Sequence, residues 1–403
     1  MINNGDVAFM VIATVLVFFM IPGLAFFYGG LVERKNSLTM MYYTFISIGI
    51  VTIMWCLGGF SLVFGRDMGG IIGNPAEYFM FRGVDFTINP QYGSKIPFLM
   101  FFMYQLMFAI ITAPLMTGAF ANRMTIAGWI KLLIPWMIFI YFPVAHWVWG
   151  GGFLAQMGFV DYAGGTVIHV TAAFAALAAI ILLGKRAVTC PKKCMNLNMV
   201  LIGSAILFFG WFGFNSGGAL ASGETAAIAF TNTGVAAGFA TIAWVILDYI
   251  RNKRISFVET LTGTVAGLAT ITPCSGYVLP QAAALIGIIG AAVCYFSVML
   301  IHKLKLDDAL DVFGVHGMGG FTGTVLIGIF AVAVVNSINF GIQQLLIQLL
   351  GVVLVAIYSF VVTWIILKLI KATGSLHVDA EIQQKGLDSV FIEEAKEEAK
   401  EEE

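Results

Sequence analysis

The chain has 403 residues, of which 60% are hydrophobic and 11% charged, and its formal net charge is −1. Soluble domains carry roughly 25% charged residues. A water-soluble protein of this length could not bury so much apolar surface, which excludes an ordinary cytoplasmic enzyme, a disordered chain and a nucleic-acid-binding protein. The composition therefore predicts an all-α integral membrane protein that lies in a lipid bilayer.

Eleven segments are apolar and long enough to cross a bilayer, because a spanning helix needs about 20 such residues. In chain order they cover residues 7–30, 38–64, 96–120, 126–150, 163–183, 197–217, 226–248, 257–275, 278–301, 312–334 and 341–370. The remaining residues form loops and a C-terminal tail. We expect residues 1–371 to form a membrane domain and residues 372–403 to form a separate tail.

The connecting loops alternate in charge. One set holds twelve basic residues, namely Arg34, Lys35, Arg123, Lys185, Arg186, Lys192, Lys193, Arg251, Lys253, Arg254, Lys303 and Lys305. The other set holds three, which are Arg66, Arg82 and Lys95. The positive-inside rule then predicts that the N-terminus lies outside the cell and the tail lies in the cytoplasm. An odd number of spans agrees with both ends.

The tail has a different charge from the rest of the chain. From Ala372 onward it contains ten acidic residues and three lysines, whereas the preceding 371 residues contain 18 basic and 12 acidic residues. The last residues, 393–403, carry acid–lysine spacings that can support a solvated helix. We therefore predict an acidic cytoplasmic appendage.

Eleven spans divide into two groups of five and one further helix. The fifth and tenth segments each open with an aspartate and carry a histidine further along: Asp161 with His169, and Asp311 with His316. Since five is odd, the second group enters the membrane from the opposite side, as an inverted repeat requires. We predict a pathway at the interface of the two repeats, with both aspartates capping their helices.

His169 and His316 are the strongest functional candidates. A charged side chain inside a span costs at least about 2.5–3.5 kcal/mol on insertion scales. A single histidine would more often bond a neighbouring carbonyl, but a pair at matching places favours function. Two neutral imidazoles can share one proton between them and leave their outward nitrogens free to guide a polar solute.

Aromatic side chains form stripes on three spans. A cation can be held by aromatic faces for roughly 0.5–2 kcal/mol, and stacked rings beneath it would exclude hydrated ions. Core packing or a lipid-facing belt is the alternative for any one ring. The stripes comprise Trp211, Phe214, Asn215 and Gly218 on the sixth span, Tyr104, Gln105 and Phe108 on the third, and Trp149 at the end of the fourth.

The sequence lacks the motifs of common enzymes. There is no phosphate-binding loop, no G-x-S-x-G and no cluster with metal-ligand spacing. Of five cysteines, Cys56, Cys274 and Cys294 lie in apolar runs, while Cys190 and Cys194 flank a basic loop, so we expect reduced thiols. We predict no enzymatic activity, no catalytic residue, no metal and no cofactor.

Several motifs resemble those of one family, the Amt/Mep/Rh ammonium transporters, and within it the Amt branch. They are PGLAFFYGGLVERKN at residues 22–36, YQLMF at 104–108, AHWVWGGG at 145–152, DYAGGTVIH at 161–169, WFGFNSGG at 211–218 and DVFGVHGMGG at 311–320. They occur in order along essentially the whole membrane domain, and they are long and unlike one another. The resemblance is therefore specific.

The resemblance implies a homotrimer in the cell membrane. Each subunit would hold its own pore between two inverted five-helix repeats, with the eleventh helix outside. The tail residues Gly386, Leu387 and Asp388 resemble a regulatory segment that docks beneath the trimer. A PII-type signalling protein is implied as a partner that blocks the cytoplasmic mouth.

The resemblance also implies roles for individual positions. Trp149, Phe108 and Tyr104 would form an outer ammonium-recruitment site, and Asp161 would be needed for ammonium entry. The other implied roles are a gate of Phe108 and Phe214, a pore lined by His169 and His316, and Trp211 packed beside the histidines.

Two positions depart from the family pattern. Gly218 stands where Amt proteins commonly have a serine, so Ser216 or a water would have to provide the missing hydrogen-bond acceptor. Asn122 replaces the usual acidic residue before Arg123, on the side of the tail. The first departure bears on affinity and selectivity, and the second on coupling to the tail.

Together, the candidate residues and the family resemblance predict an ammonium transporter. We expect recruitment outside, deprotonation near Asp161 and the gate, and passage of ammonia along the histidines, with the proton relayed separately. One alternative is an ammonium sensor that keeps the fold without turnover, although no output domain follows the last helix. Another is a channel for a different neutral gas, whose flux would not depend on the Trp149 and Phe108 faces.

Overall fold

The structure, a computed structural model, describes residues 1–188, 195–374, 376–389 and 391. It is helical throughout its apolar part. The helices are α1 (Asn4–Leu31), α2 (Arg34–Phe64), α3 (Phe98–Gly118), α4 (Ile126–Gln156), α5 (Gly165–Leu183), α6 (Leu197–Ala219), α7 (Glu224–Asn252), α8 (Phe257–Ile271), α9 (Pro280–Lys303), α10 (Phe313–Phe330) and α11 (Ile342–Ala372).

Within the described residues, ten of these helices are long and apolar enough to cross a membrane. The exception is α8, which has 15 residues. It ends before the predicted residue 275 because Pro273 interrupts the helix and packs its ring against Gly165. Ten of the eleven predicted segments are thus confirmed as helices of spanning length.

Two helices, α1 and α6, pack closely along much of their length. Glycines permit this approach: a Cβ added at Gly203 would lie 2.3 Å from the backbone nitrogen of Phe27, and one at Gly30 would lie 2.7 Å from that of Val200. Small residues at such crossings let helix backbones come together in a membrane protein. The first helix of each predicted five-helix group therefore contacts its counterpart.

Helices α5 and α10 form a second pair, and other helices pack around them. Helices α7, α8 and α9 pack on one another, α5 and α10 meet near their histidine-bearing turns, and α11 lies against α4, α5 and α10. The large hydrophobic core runs through this assembly. The centre of the molecule is therefore built from α5 and α10, the two helices for which functional histidines were predicted.

A small hairpin departs from the all-helical prediction. Strands β1 (Asp67–Met68) and β2 (Ile72–Gly73) pair antiparallel between α2 and α3. The buried ring of His146 holds the hairpin in place: its Nδ1 donates to the carbonyl of Val63 at 2.6 Å, and its Nε2 lies 3.0 Å from Oδ1 of the Asp67 carboxylate. This hydrogen bond from His146 lowers the pKa of Asp67. We call this side of the molecule the hairpin end.

The tail docks at the opposite side, which we call the tail end. The nitrogen of Val378 donates to the carbonyl of Arg123 at 2.9 Å, and the short helix α12 (Ala380–Lys385) follows. Residues 190 and 194, both cysteines, the lysines at 192 and 193, and residues 392–403 with most of the acidic repeat lie outside the described residues. The last transmembrane-length helix ends at Ala372, next to the predicted boundary.

The predicted regulatory residues all contact the N-terminal turns of α2. The carboxylate of Asp388 accepts from the nitrogens of Leu38 and Thr39 at 2.9 and 2.8 Å and from the Thr39 hydroxyl at 2.8 Å. The nitrogen of Leu387 donates to Asn36 Oδ1 at 2.9 Å. Gly386 has φ 109°, a value that favours glycine.

Candidate functional site

A cavity of about 300 Å³ opens at the hairpin end, and we call it the vestibule. Its wall brings together five residues predicted from sequence, which are Tyr104, Phe108, Trp149, Asp161 and Gly218. The wall also includes polar residues that the sequence analysis did not assign to a site: Gln91, Tyr92, Tyr162, Tyr277 and Asn336. The vestibule is therefore aromatic with a few polar groups.

Hydrogen bonds fix the aromatic rings of the vestibule. The indole Nε1 of Trp149 donates to the carbonyl of Asp161 at 2.8 Å, and the hydroxyl of Tyr104 donates to the carbonyl of Phe214 at 2.9 Å. The rings of Phe108 and Trp149 meet edge to face, with centroids 6.0 Å apart. Because the polar atoms are already bonded, these rings offer their faces to a ligand, which suits a cation.

Two phenylalanine rings lie between the vestibule, which Phe108 lines, and the space beside the histidines, which Phe214 lines. The centroids of Phe108 and Phe214 lie 4.5 Å apart at an interplanar angle of 37°. Both side chains are buried. The structure thus brings together the two residues predicted as a gate, and the rings separate the vestibule from the space below.

The two predicted histidines meet below these rings. Nδ1 of His169 and Nδ1 of His316 are 3.2 Å apart, and their rings are nearly parallel, at 18°. One nitrogen must donate and the other must accept, so a single hydrogen lies between the rings. Among the described residues, the buried Nε2 atom of His169 has no hydrogen-bond partner. Trp211 stacks on His169 with centroids 5.5 Å apart, and its Nε1 donates to Thr272 Oγ1 at 2.8 Å.

Both histidines lie in π-helical turns, Gly165–Val170 and Phe313–Gly317. Such turns occur mostly as single insertions at functional sites, because they displace side chains from the regular helical positions. The close approach of the two helices is set by Gly320, where an added Cβ would lie 2.3 Å from the carbonyl oxygen of Gly165. Glycine at position 320 therefore lets the two histidine-bearing helices come into backbone contact.

Two smaller cavities continue the line of the vestibule. One of about 10 Å³ is lined by Phe214, Trp211 and both histidines together with apolar side chains. The next, of about 80 Å³, is bordered by His316, Glu259 and Asp311 and faces the tail end. The site is therefore a column of spaces that runs from one end of the molecule to the other, narrowest at the histidines.

The predicted helix cap at Asp161 is confirmed. Its carboxylate accepts four backbone N–H groups at 2.7–3.0 Å, those of residues 164 to 167. Four N–H donors on two oxygens leave no place for a proton, so the geometry requires the carboxylate form. Asp161 is 4% exposed, and in the vestibule it presents its carbonyl to Trp149.

The predicted helix cap at Asp311 is wrong, because Asp308 occupies that place. The Asp308 carboxylate accepts from the nitrogens of Val312 and Phe313 at 3.1 and 2.7 Å. Asp311 has φ 56° and lies 2.9 Å from His302. Burial, and then the nearby Asp311 carboxylate, raise the pKa of Asp308 to about 7. The matching spacing was the available signal, since both capping aspartates precede their histidine by eight residues.

The structure explains the glycine at position 218. A Cβ there would lie 2.9 Å from Cε1 of Tyr162, so the tyrosine ring occupies the space that a side chain would need. Ser216 does not compensate, because it does not line the vestibule; its hydroxyl donates to the carbonyl of Phe212 at 2.5 Å. The suggestion that Ser216 provides the missing acceptor is therefore not supported.

The second departure from the family pattern, Asn122, lies at the tail end. Asn122 has φ 67°, and its Oδ1 is buried without a partner. The guanidinium of Arg123 donates to the carbonyls of Ala119, Gly184 and Asp307. Burial lowers the pKa of Arg123 to about 10. This arginine joins three loops and thereby links the tail to the bundle.

The described residues contain no group of three or more His, Cys, Asp or Glu side chains arranged to hold a metal ion. The free cysteines described, Cys56, Cys274 and Cys294, are dispersed through the bundle. What the column provides is therefore aromatic faces, two imidazoles and a narrow apolar passage.

Comparison with known proteins decides the family. The model of the Ammonium Transporter Family matches residues 8–397. The chain belongs to the ammonium transporter family. The family predicted from the six sequence motifs is thus confirmed.

Curated relatives agree over nearly the whole length. The chain is 42% identical to a putative ammonium transporter of Methanothermobacter thermautotrophicus, with 98% of each chain covered. It is 43% identical to an ammonium transporter of Aquifex aeolicus, covering 96% of this chain and 92% of the relative. It is 40% identical to ammonium transporter Amt1 of Archaeoglobus fulgidus, covering 96% and 97%.

Solved structures of other members share the fold. The Saccharomyces cerevisiae Mep2 structure superposes with a TM-score of 0.86 at 32% identity, covering 94% of this chain and 91% of that one. A sensor Amt protein superposes with a TM-score of 0.88 at 30% identity, covering 95% and 97%.

Proposed function

We propose that this chain is an ammonium transporter that binds NH₄⁺ in the vestibule, removes its proton and conducts NH₃ past His169 and His316. The observation that carries the proposal is the column of spaces, with cation-compatible aromatic faces above and two buried imidazoles below. Family membership and the names of the relatives support ammonium as the cargo.

The vestibule suits recruitment of a cation. Trp149, Phe108 and Tyr104 present ring faces because their polar atoms, where present, are bonded to backbone carbonyls. Aromatic faces attract a cation by roughly 0.5–2 kcal/mol, more when water is excluded. The carbonyl of Asp161 holds the indole in place, and its carboxylate holds the turn that carries His169. We assign Asp161 a positioning role in ammonium entry.

The narrow passage selects by chemistry. Ammonium and potassium are similar in size, but only ammonium can lose a proton. Moving an intact ion into an apolar passage costs several kcal/mol even after relaxation, whereas neutral ammonia has no such cost. Deprotonation at the Phe108–Phe214 gate therefore admits ammonia and rejects potassium.

The proton follows a separate route through the histidines. Because the two Nδ1 atoms share one hydrogen, a proton that arrives at Nε2 of one ring can be matched by release from Nε2 of the other. The buried Nε2 of His169 faces no protein partner, which leaves it available for this exchange. Ammonia and proton recombine at the tail end, so the transport moves net charge.

The proposal also includes the topology and orientation of the protein in the membrane. We infer eleven spans, with the shorter α8 as the eighth, and two inverted five-helix repeats plus α11. The pairing of α1 with α6 and of α5 with α10 supports the repeat. The clustering of basic loops with the tail supports a cytoplasmic tail end and an external hairpin end. The protein is a homotrimer of the cell membrane.

Regulation acts through the tail, residues 372–403. Gly386, Leu387 and Asp388 dock on the N-terminal turns of α2, which supports their role as a regulatory segment. The basic loops of the tail end suit a PII-family signalling protein that covers the inner mouth. Movement of Asp388 would reach Leu38 and Thr39 in the first turn of α2.

Currents on a solid-supported membrane test the proposal. Purified protein in liposomes is pulsed with ammonium chloride and then with potassium chloride. We expect an ammonium-evoked current and none with potassium, and loss of the current in His169→Ala/His316→Ala. The control is His377→Asn, which removes an exposed histidine of the tail whose backbone alone pairs with Met124. An ammonium current that persists in the double variant would overturn the histidine pathway.

A sensor is the second candidate function. Its support is the superposition on a sensor Amt protein over 97% of that chain, together with the glycine at position 218. A sensor would bind ammonium and give neither current nor ammonia flux. A pH-dye flux assay on the same liposomes separates it from electroneutral ammonia conduction, which would acidify or alkalinise the lumen without a current.

A further inference from the structure

His146 lies between two hydrogen-bond acceptors at the hairpin end. Its side chain is fully buried near the end of α4. Nδ1 is 2.6 Å from the carbonyl oxygen of Val63, and Nε2 is 3.0 Å from Oδ1 of Asp67. A carbonyl oxygen carries no hydrogen, so Nδ1 must donate the first bond. The second bond therefore decides the protonation state of the ring.

The second bond requires a hydrogen on Nε2 as well. Oδ1 of Asp67 also accepts from the backbone nitrogen of Gly70 at 2.8 Å, as the oxygen of an ionised carboxylate does. The Asp67 side chain is 33% exposed, so solvent stabilises its charge, and the hydrogen bond from His146 lowers its pKa. With a carboxylate on one side and a carbonyl on the other, both ring nitrogens must donate. The ring is therefore an imidazolium that pairs with Asp67.

The bridge made by His146 connects two segments of the vestibule wall. On α2 the bonded carbonyl belongs to Val63, and the next residue, Phe64, lines the vestibule. On α4 the histidine precedes Trp149 by three residues, and Trp149 lines the same cavity. The carbonyl of Phe64 accepts from the hydroxyl of Tyr92 at 2.8 Å, which extends the connection to a third ring of the wall. A shift at either end of the bridge would therefore move an aromatic ring.

The end of α4 is built around the histidine ring. A Cβ at Gly150 would lie 2.5 Å from Nδ1 of His146, so a side chain directly after Trp149 would displace the ring. The backbone carbonyl of His146 accepts from the nitrogen of Gly150 at 3.0 Å. The indole Nε1 of Trp147 donates to the carbonyl of Ile71 in the hairpin turn at 2.8 Å. The hairpin and the end of α4 thus form one unit with His146 between them.

We propose that His146, as an imidazolium that bridges the Val63 carbonyl and the Asp67 carboxylate, is a positioning residue that holds the vestibule rings where ammonium binds. The inference rests on the proposed ammonium site and names a group behind its wall that sets its geometry. A neutral imidazole could keep one of the two bonds but not both, because its other nitrogen would turn a lone pair toward an acceptor. The proton on His146 is thus a structural requirement of the outer site.

The sharpest variant is His146→Asn, whose amide nitrogen can keep the bond to Val63 while nothing replaces Nε2. We expect about a fivefold higher half-saturating ammonium concentration, since part of the cation–π attraction is lost when the rings shift. The maximal current should change much less, because the gate and the histidine pair are untouched. A purely structural role would instead lower the thermal midpoint or the maximal current at an unchanged half-saturating concentration, and that result would overturn the inference.

The other end of the bridge is tested with Asp67→Asn. This variant removes the counter-charge, so the imidazole gives up one proton and one of its two bonds. The loss of ammonium affinity should resemble that of His146→Asn. The double variant should bind ammonium about as weakly as the weaker single variant, because the same bridge is lost once. Fully additive losses would contradict the claim that the two residues act together.

The matched control is Asp85→Asn. Asp85 lies in the same connection between α2 and α3, and its carboxylate accepts from the nitrogen of Thr87 at 2.7 Å and from the Thr87 hydroxyl at 2.5 Å. The substitution removes an equal negative charge from the hairpin end without touching the bridge. Ammonium affinity should therefore stay unchanged. Equal losses in Asp67→Asn and Asp85→Asn would show a general effect of charge near the entrance and would overturn the proposal.

The charge on His146 is measured by solid-state NMR of protein labelled with ¹⁵N-histidine in liposomes, because a ring nitrogen without a hydrogen resonates far from one that carries it. The signals that disappear in His146→Asn belong to this ring. We expect two protonated nitrogens for it in the unsubstituted protein and one in Asp67→Asn. A nitrogen without a hydrogen on this ring in the unsubstituted protein would overturn the imidazolium.

Binding is measured on the purified protein by intrinsic tryptophan fluorescence during titration with ammonium chloride, with potassium chloride at equal ionic strength as the reference. Half-saturating concentrations come from membrane currents. If the unsubstituted protein binds ammonium but gives no current, transport fails and the binding data alone decide the inference. If His146→Asn binds ammonium as tightly as the unsubstituted protein, the inference fails while transport stands. No ammonium binding at all would overturn both.

Discussion

Asp161 and Asp308 each precede a histidine of the buried pair by eight residues and each cap the turn that carries it, but their surroundings differ. Asp161 receives four backbone N–H groups, whereas Asp308 receives two and has the Asp311 carboxylate nearby. His169 borders the narrowest cavity, and His316 borders both that cavity and the wider one beyond it. The same local arrangement is thus held by four hydrogen bonds at Asp161, whereas at Asp308 the carboxylate has a pKa of about 7 and can bind a proton.

The largest expected effect is on stability, from Asp161→Asn. An amide has one accepting oxygen, so its NH₂ group would face backbone N–H donors and leave at least two without partners. We expect a loss of about 3 kcal/mol, seen as a lower thermal midpoint in detergent. Asp308→Asn, with fewer donors, should lose about half as much. Equal losses would remove the distinction between the two caps.

The second effect is on transport, from His169→Asn and His316→Asn. Asparagine keeps a polar atom near the Nδ1 position and removes Nε2. We expect at least about a tenfold smaller ammonium current for His169→Asn, equivalent to about 1.4 kcal/mol of barrier. His316→Asn should lose less, since water from the wider cavity can replace its Nε2. Currents normalised to protein content check this, and a larger loss at His316 would reverse the comparison.

The third effect is a pH dependence that belongs to Asp308. Its pKa of about 7 lies above the ordinary aspartate value, so the folded protein binds a proton that the unfolded chain has released. Stability therefore falls as pH rises through 7, by about 1 kcal/mol between pH 6 and 8. Thermal midpoints at several pH values should show the slope, and Asp308→Asn should flatten it. A slope that survives in Asp308→Asn would assign it to another group.

A further effect on stability concerns the contact between the two five-helix groups. The hydroxyls of Thr166 and Thr324 are 2.9 Å apart, and Thr324 donates to the carbonyl of Gly320 at 2.8 Å. Thr166 must therefore be the donor to Thr324. We expect Thr324→Val to cost about 2 kcal/mol, since it leaves the Thr166 hydroxyl without an acceptor, and Thr166→Val about 1 kcal/mol. Thermal unfolding would contradict this if Thr166→Val were the more destabilising.

The sequence predicts the helices well because an apolar span has one length requirement and a simple composition. The motifs also single out the two histidines, Phe108 with Phe214, and the tail residues 386–388, which the structure brings into contact with one another or with α2. The length of α8 is missed, since Pro273 ends the helix within an apolar run. The cap at Asp308 is misassigned to Asp311, because several aspartates precede the tenth segment and only the fold shows which carboxylate reaches the turn.

Tyr162 illustrates a different limit of sequence reasoning. It stands next to Asp161 in a recognised motif, but its contacts with Gly218 and Gly276 join residues far apart in the chain. Aligning the sequence with the family pattern shows only that position 218 is glycine where a serine is expected. The tertiary structure adds that an aromatic ring fills the same space and carries a hydroxyl of its own.

The cavity beside the histidines also bears on the electrical insulation of the membrane. At about 10 Å³ it has room for at most one water-sized molecule, and its walls are largely apolar. A continuous file of water cannot form there, so hydronium has no path of its own across the protein. Under the proposed mechanism, the membrane voltage would then be preserved whenever ammonium is absent, and the protein would offer a route for the proton of ammonium when ammonium is present.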